Sequence, residues 1–425
     1  MISIILSVSV TIGGLRLTPT RIILVICFFP LLAQFLTGKL GRRTVGDWLL
    51  VFFCFWLIVS IIYTEGVSRI EFGIISTVEL LGSFMLGRFL IRNAADFTAM
   101  VKWHIALLVI MAPFAVVEFV SGTQYWARIL DVIGDVQYRQ ESSRPRYGFN
   151  RVLAGFAHPI LYGIFCSMLV GTVFHIWRDN LLRVAIILGF VGAMTFMSLS
   201  SGAVLSVGFQ IGLIVWGIVT KNRWLLLAGC VVGGVVFLEL ASNRGFVSIF
   251  ISTFAFDGVS AWTRITQWEY GTAEVMRYPI FGKGLSSEWV RPSWLHTSSI
   301  DNYWLVVAFR HGLPAIAAQL AAIGFIVWTI TKAGPLSEDS DKIRTGYLIV
   351  MVGVCFSLAT VHIWDSNVIF FFFYLGAGLW LIDPAAGQPD TTQPDDDAAA
   401  PARARTIYTR FPPQSATPPP GAPPP

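Results

Sequence analysis

Apolar residues along this chain come in blocks of about 20, each separated from the next by a short polar stretch. The blocks lie at roughly 2–15, 22–37, 48–64, 70–91, 103–121, 152–177, 182–199, 202–219, 224–241, 303–331, 345–364 and 366–382. A helix rises about 1.5 Å per residue, so about 20 residues cross the hydrocarbon core of a bilayer. Membrane β-strands would be shorter and strictly alternating. The pattern therefore predicts an all-α, polytopic membrane protein with about twelve transmembrane helices. Residues 2–15 lack a basic start and a small-residue cleavage site, so they are read as a short first span rather than a secretory signal.

Polar punctuation sets the expected orientation. Lys39, Arg42 and Arg43, then Arg88, Arg92 and Lys102, Arg178 and Arg183, Lys221 and Arg223, and Lys332, Lys342 and Arg344 fall in or beside alternate short connections. The positive-inside rule places these connections, and both chain ends, in the cytoplasm. Two long connections, 122–151 and 242–302, then face outward, the second forming a large periplasmic loop between spans nine and ten. Both carry arginines, among them Arg128, Arg139, Arg144, Arg146, Arg151, Arg244, Arg264, Arg277 and Arg291. These are either solvated loop charges or a surface for anionic, phosphate-bearing ligands.

Composition agrees. Hydrophobic residues make up 55%, charged residues 13%, and mean hydropathy is +0.68, whereas a soluble domain is about 25% charged. The net charge of +5 is explained by membrane topology and gives no sign of nucleic-acid binding. The cysteines all sit inside apolar runs with no CxxC spacing, as small core hydrophobes do. Beyond residue 383 the chain changes character: 12 of its 21 prolines lie in 384–425. The chain thus divides into a membrane domain, 1–383, and a Pro/Ala-rich tail, expected to be disordered and cytoplasmic.

Four stretches could carry chemistry. "GFAHPILYG" sets His158 before Pro159 at a helix start or kink. There it either lines a cavity or is satisfied by backbone. "SLSSGAVLSVGFQ" places Ser198, Ser200 and Ser201 in a turn between two spans, a close-packed corner or a polar lining. "WTRITQWEYGTAEVMRYPIFGKGLS" reads as an amphipathic helix at the outer face with Trp262, Ile265, Trp268 and Ala273 on its apolar side. Pro279 ends it, and Gly282 and Gly284 make a turn. Arg264 falls at the expected helix start, where free N–H groups and an arginine together suit phosphate, although an arginine can also snorkel to headgroups. "HTSSIDNYWLVVAFRHGLP" re-enters the membrane. Asp301 and Asn302 stand at its lip, where Asp301 would cap a helix, and Arg310 lies about two turns deeper, facing the bundle interior. His296 lies just upstream. No Walker loop, Rossmann fingerprint or HExxH motif occurs.

These four stretches, in this order, resemble the O-antigen ligase and polymerase family of bacterial polysaccharide assembly. The resemblance covers about 150–320 in motif and the whole chain in topology. It implies the all-helical fold of lipid-linked glycosyltransferases in the bacterial inner membrane. A glycan would leave an undecaprenyl pyrophosphate carrier on the outer face and join an acceptor, with no cofactor or metal. A flippase and a chain-length regulator would be its protein partners. In the family, arginines hold the pyrophosphate, and Arg264 matches one of them. Two departures stand out. Ser201 occupies a position where O-antigen ligases often have arginine, which leaves Arg291 and Arg310 as candidates for a second arginine. Asp301-Asn302 stands where they often have His-Asn, a form more similar to exopolysaccharide polymerases. Polymerase is therefore the expected activity, with ligase as its neighbour. Catalysis falls to Arg264 and to Asp301 or His296 as base. Substrate binding falls to Arg264, Arg291, Arg310, His158, Ser201 and Asn302. Rival classes are a flippase or other transporter, which should show related halves and midplane charges, and a non-catalytic scaffold.

Overall fold

A computed structural model describes residues 2–383, apart from 7, 13–14, 133, 137–144, 222, 244, 255–257, 287 and 296. His296, Arg139, Arg144, Arg244 and the 384–425 tail lie outside the described residues.

Most of the chain is helical. A short helix α1 (Ile2–Ile5) precedes strands β1 (Val8–Ile12) and β2 (Leu15–Leu17), and α2 (Pro19–Thr37), α3 (Val45–Glu65), α4 (Ile70–Leu90) and α5 (Ala94–Ser121) follow. Next come α6 (Tyr125–Leu130), β3 (Asp135–Val136), α7 (Pro159–Ser167), α8 (Val170–Trp177), α9 (Leu181–Met197), α10 (Ser201–Thr220) and α11 (Trp224–Ala241). The chain continues through α12 (Gly245–Phe254), α13 (Gly258–Arg277), α14 (Tyr303–Thr331), α15 (Glu338–Ser357) and α16 (Ser366–Ala377). Among the described residues eight helical segments are long and apolar enough to cross a membrane, α7 and α8 counting together as one. Leu181–Met197 and Ser366–Ile382 are apolar but shorter. The protein is an all-α, multi-pass membrane protein.

The expected first span over 2–15 does not form. Its sequence, "VSVTIGGLRL", has a run rich in β-branched residues before Gly-Gly, which favours a hairpin over a helix. β1 pairs antiparallel with β2 and, on its other edge, with β3. The Trp126 indole N–H donates to Ile5 O at 3.0 Å, so the N-terminal segment packs against the 122–151 connection. Span six also starts later than expected, at Pro159, and span eleven ends at Ser357.

Local chemistry fixes the helix starts. Thr18, with Pro19 in the first turn, caps α2. A capping box, Thr44 with Asp47, starts α3. Such caps are worth roughly 0.5–2 kcal/mol each. α3 packs along α14, and α4 packs along α16. The second contact is backbone-close: a Cβ on Gly87 would lie 2.1 Å from Phe373 O, and one on Gly376 2.0 Å from Phe84 O. Small residues permit this approach where no hydrophobic drive separates helix from lipid. The bundle buries large side chains such as Phe53, Phe84, Tyr347 and Phe371, while Leu225, Phe237 and Leu240 of α11 stay outside, as lipid-facing residues do.

α14 is two helices, not one. Gly312 has φ 83° and ψ 174°, a region open essentially to glycine alone. Pro314 has no N–H to offer Arg310 O, and Gly284 N donates to that carbonyl instead, at 3.1 Å. Lys283 N donates to Phe309 O at 2.8 Å, and Leu313 N donates back to Pro279 O at 2.7 Å. The "YPIFGKG" turn therefore supplies the hydrogen bonds that the break releases. Phe281 stacks on both Trp56 and Tyr63 of α3, and Leu285 N donates to Glu65 Oε1 at 2.7 Å. This docking holds the long 242–302 connection onto the bundle. A Cβ on Gly312 would lie 1.9 Å from Ile280 O. Gly312→Ala is expected to cost upwards of about 1–3 kcal/mol in backbone strain alone. Thermal unfolding in detergent, and proteolysis of the released 278–302 segment, check this; an unchanged melting curve would refute the docking account.

Candidate functional site

The two ends of the bundle differ. α3, about 30 Å long by its rise per residue, starts beside the basic 38–44 turn and ends where Glu65 grips Leu285. α9 ends, and α10 starts, at the serine turn. α15 ends at this same face, where Tyr303 N donates to Leu358 O and Val361 O. The candidate site lies at this face.

Leu199 turns the chain at φ 44°, between Ser198 and Ser200. A Cβ on Gly202 would lie 2.1 Å from Val361, so α10 abuts the 358–365 turn. The carbonyls of this serine turn face arginines. Arg146 Nη1 donates to Leu199 O at 3.0 Å, and Arg151 Nε donates to Ser198 O at 3.3 Å. Arg264 Nη1 donates to Ser201 Oγ at 3.1 Å. A guanidinium has five N–H donors, and the bonds of Arg146 and Arg151 to the turn use one each. These three arginines, with His158, Ser200, Ser201 and Asp301, line a cavity of about 240 Å³.

A second cavity of about 560 Å³ is lined by Arg310, His362, Trp364, Ser286, His158 and Asp301, among others. The two share His158, Ile160, Ser299 and Asp301. They are lobes of one site, with Asp301 and His158 at the junction. The larger lobe is in the range of ligand pockets, about 300–1,000 Å³.

Gln267 on α13 sets the carboxylate's place. Its side-chain N–H donates to Ser299 O at 2.9 Å, and its Oε1 accepts from Asp301 N at 2.9 Å. Asn302 Oδ1 accepts from Leu305 N at 3.0 Å and caps α14. The cap is therefore Asn302, not Asp301, and Asn302 lines neither lobe. Burial pushes the Asp301 carboxyl above its usual range, against the pull of Arg264, Arg151 and Arg146. Burial, with repulsion from Arg146 and Arg264, lowers Arg151 to about 10, so it stays charged at neutral pH. His158 falls to about 4 through burial and the charges of Arg151 and Arg146. His362 falls to about 3 through burial and Arg310. Both imidazoles are neutral at pH 7. His158 Nδ1 accepts from Ile160 N at 3.2 Å, which assigns the proton to Nε2.

Three guanidinium groups repel one another across the small lobe, a cost that a bound polyanion relieves. Beside them stands a carboxylate with raised proton affinity, and a larger lobe is open next to it. This arrangement can hold a phosphate-rich group and take a proton from a neighbouring molecule.

Against the expectations, Arg264, Asp301, His158, Ser201 and Arg310 all line the site. Arg291 does not line either lobe, and His296 lies outside the described residues. Arg264 is not at a helix start: it is seven residues into α13, so side chains rather than terminal N–H groups build the anion site. The buried face of α13 also differs from the expected stripe. Ala261, Ile265, Gln267, Gly271, Glu274 and Val275 are buried, whereas Trp262 is exposed. That face packs on protein, α14 and α12, and includes polar groups with partners, such as Glu274 with Lys283 and Arg277. The sequence offers Arg146 and Arg151 only as two of many outer-loop arginines, and gives Gln267, His362 and Trp364 no role. Arginines of the outer connection beside the serine turn, and a histidine near the end of the 345–364 apolar run, are the signals the sequence carries. Compared with models of known protein families the chain matches none, and a comparison with curated proteins finds no match.

Proposed function

We propose that this protein transfers or polymerises oligosaccharide units carried on undecaprenyl pyrophosphate, at the outer face of the bacterial inner membrane. The observation that carries the reading is the junction of the two lobes, where Asp301 stands between a three-arginine cavity and a larger one. The basic turns lie at the opposite end of the bundle, which by the positive-inside rule orients the site outward.

The small lobe holds the donor's pyrophosphate, and the larger lobe takes the acceptor. The acceptor hydroxyl oxygen attacks the anomeric carbon of the donor, and the bond from that carbon to the pyrophosphate oxygen breaks. The hydroxyl proton passes to the Asp301 carboxylate. The lipid pyrophosphate leaves with one more negative charge, which Arg264, Arg146 and Arg151 stabilise. Neutral His158 offers Nε2–H to a developing oxyanion. The acceptor decides between polymerase, ligating glycan to glycan, and ligase, passing glycan to another lipid; Asp301-Asn302 favours polymerase through the family resemblance.

The broken α14 is the feature that favours a transporter as second reading, although its break is closed by the "YPIFGKG" turn. Deleting the gene separates the two. A polymerase deletion leaves single repeat units on surface-polysaccharide gels, whereas a flippase deletion leaves lipid-linked units trapped inside the cell. The second pattern would refute the proposal.

A further inference from the structure

At the end of the bundle opposite the candidate site lies a cavity of about 530 Å³. Lys39, Arg42, Arg43, Arg88 and Arg92 line it, and among the described residues Asp383 is the one carboxylate in the lining. The 38–44 turn, the end of α4 and the Leu379–Trp380 segment enclose it. Arg88 is anchored at its floor: it pairs with Asp47 at 2.5 Å and donates to Arg42 O at 2.7 Å. Among the described residues its Nε has no hydrogen-bond partner, and neither has Trp380 Nε1. Arg88 is 4% exposed and Trp380 8%, and both residues line this one basic cavity. A buried unsatisfied donor is unfavourable, and an anion carrying acceptor oxygens would satisfy both.

The surroundings indicate which anion. Leu36, Phe89 and Leu90 flank the cavity with exposed apolar side chains, which marks the edge of the lipid-facing belt. Leu40, Ile91 and Leu379 add apolar lining. A tryptophan with cations around it is the usual composition of a membrane-interface site.

We propose that this cavity binds the phosphate of an anionic phospholipid, with Arg42, Arg43 and Arg92 at the rim and Arg88 Nε and Trp380 Nε1 as inner donors. The lipid would brace the start of α3 against the end of α4. The inference is independent of the glycan-transfer reading, since it concerns the other membrane face.

The test is thermal unfolding of the full-length protein in neutral detergent, titrated with phosphatidylglycerol, phosphatidylcholine or inorganic phosphate. Phosphatidylglycerol is expected to raise Tm saturably and the other two are not. Arg42 and Arg43 are exposed, so R42Q/R43Q should fold and should shift the phosphatidylglycerol midpoint about tenfold. Trp380→Phe, read by native mass spectrometry as lipid retained per protein, gives a second measure and should show loss of retained anionic lipid. An unchanged midpoint in R42Q/R43Q together with full retention in Trp380→Phe overturns the proposal. Equal stabilisation by phosphatidylcholine, or by inorganic phosphate, overturns the assignment to an anionic lipid. The chain's own tail carries Asp390, Asp395, Asp396 and Asp397. If D390N/D395N/D396N/D397N lowers Tm without lipid as R42Q/R43Q does, the occupant is the tail and the proposal falls.

Discussion

Asp301→Asn is expected to lower the turnover of glycan transfer by about 10²–10⁴-fold, the usual contribution of a positioned base. The substitution keeps size and shape but removes the capacity to take a proton, together with the negative charge that faces Arg264, Arg151 and Arg146. The main-chain N–H of residue 301 still donates to Gln267 Oε1, and α14 keeps its cap on Asn302, so the protein should remain in the membrane at normal level. KM for the lipid-linked donor should change little, because the donor's phosphates meet the arginines. The pH profile is a separate reading. A base works when ionised, so the wild-type rate falls as pH drops through the carboxyl's pKa. Burial raises that pKa, so the acid limb should lie above the ordinary carboxylate value of about 3.9, and Asp301→Asn should erase it. Assay with a defined lipid-linked donor, read as polymer on gels and as initial rate, checks both. A variant with near-normal turnover would move the base role to His296.

Arg264→Ala should abolish polymer, with a loss of about 10²–10³-fold or more in turnover, as for removal of an electrostatic contact to a leaving group. Arg264 shares the small lobe with Arg146 and Arg151, so three charges meet one pyrophosphate and their losses should not add. Arg264→Lys keeps the charge but not the planar fork and should recover part of the rate. Ser201→Ala, which removes only the oxygen accepting from Arg264 Nη1, should cost far less. If Arg264→Ala leaves polymer length and yield normal while the protein stays in the membrane, the role assigned to Arg264 fails.

The legible parts of this molecule were those set by local chemistry. Apolar run lengths located α2 to α5 and α9 to α11, and the Pro-Gly turn after Arg277 was read where it lies. The hairpin at 8–17 escaped notice because an apolar run carries no direct record of its backbone. A β-branched run beside Gly-Gly was the clue, and run length outweighed it. Arg264 lines the site for a reason that local sequence does not carry. Helix α13 begins at Gly258, so the arginine sits mid-helix and works through its side chain. Asp301 and Asn302 are both suited to cap a helix, and which one caps α14 depends on a single hydrogen bond. Arg291 is a charge in the expected loop but lines neither lobe, whereas Arg146 lines the small one from a loop more than a hundred residues earlier.

The sequence by itself determined an all-α membrane protein, because about 20 apolar residues in lipid must satisfy their own backbone as helix. It also determined that the outer connections are rich in arginine. Only the tertiary structure decided which arginines converge. Arg146 and Arg151 come from one long connection and Arg264 and Asp301 from the other, and their meeting depends on three sets of contacts. Arg146 and Arg151 grip the serine-turn carbonyls, Gln267 holds the 299–301 segment, and the "YPIFGKG" turn closes the break at Gly312. Each is a hydrogen bond between residues distant in sequence, and no periodicity along a chain encodes such pairings.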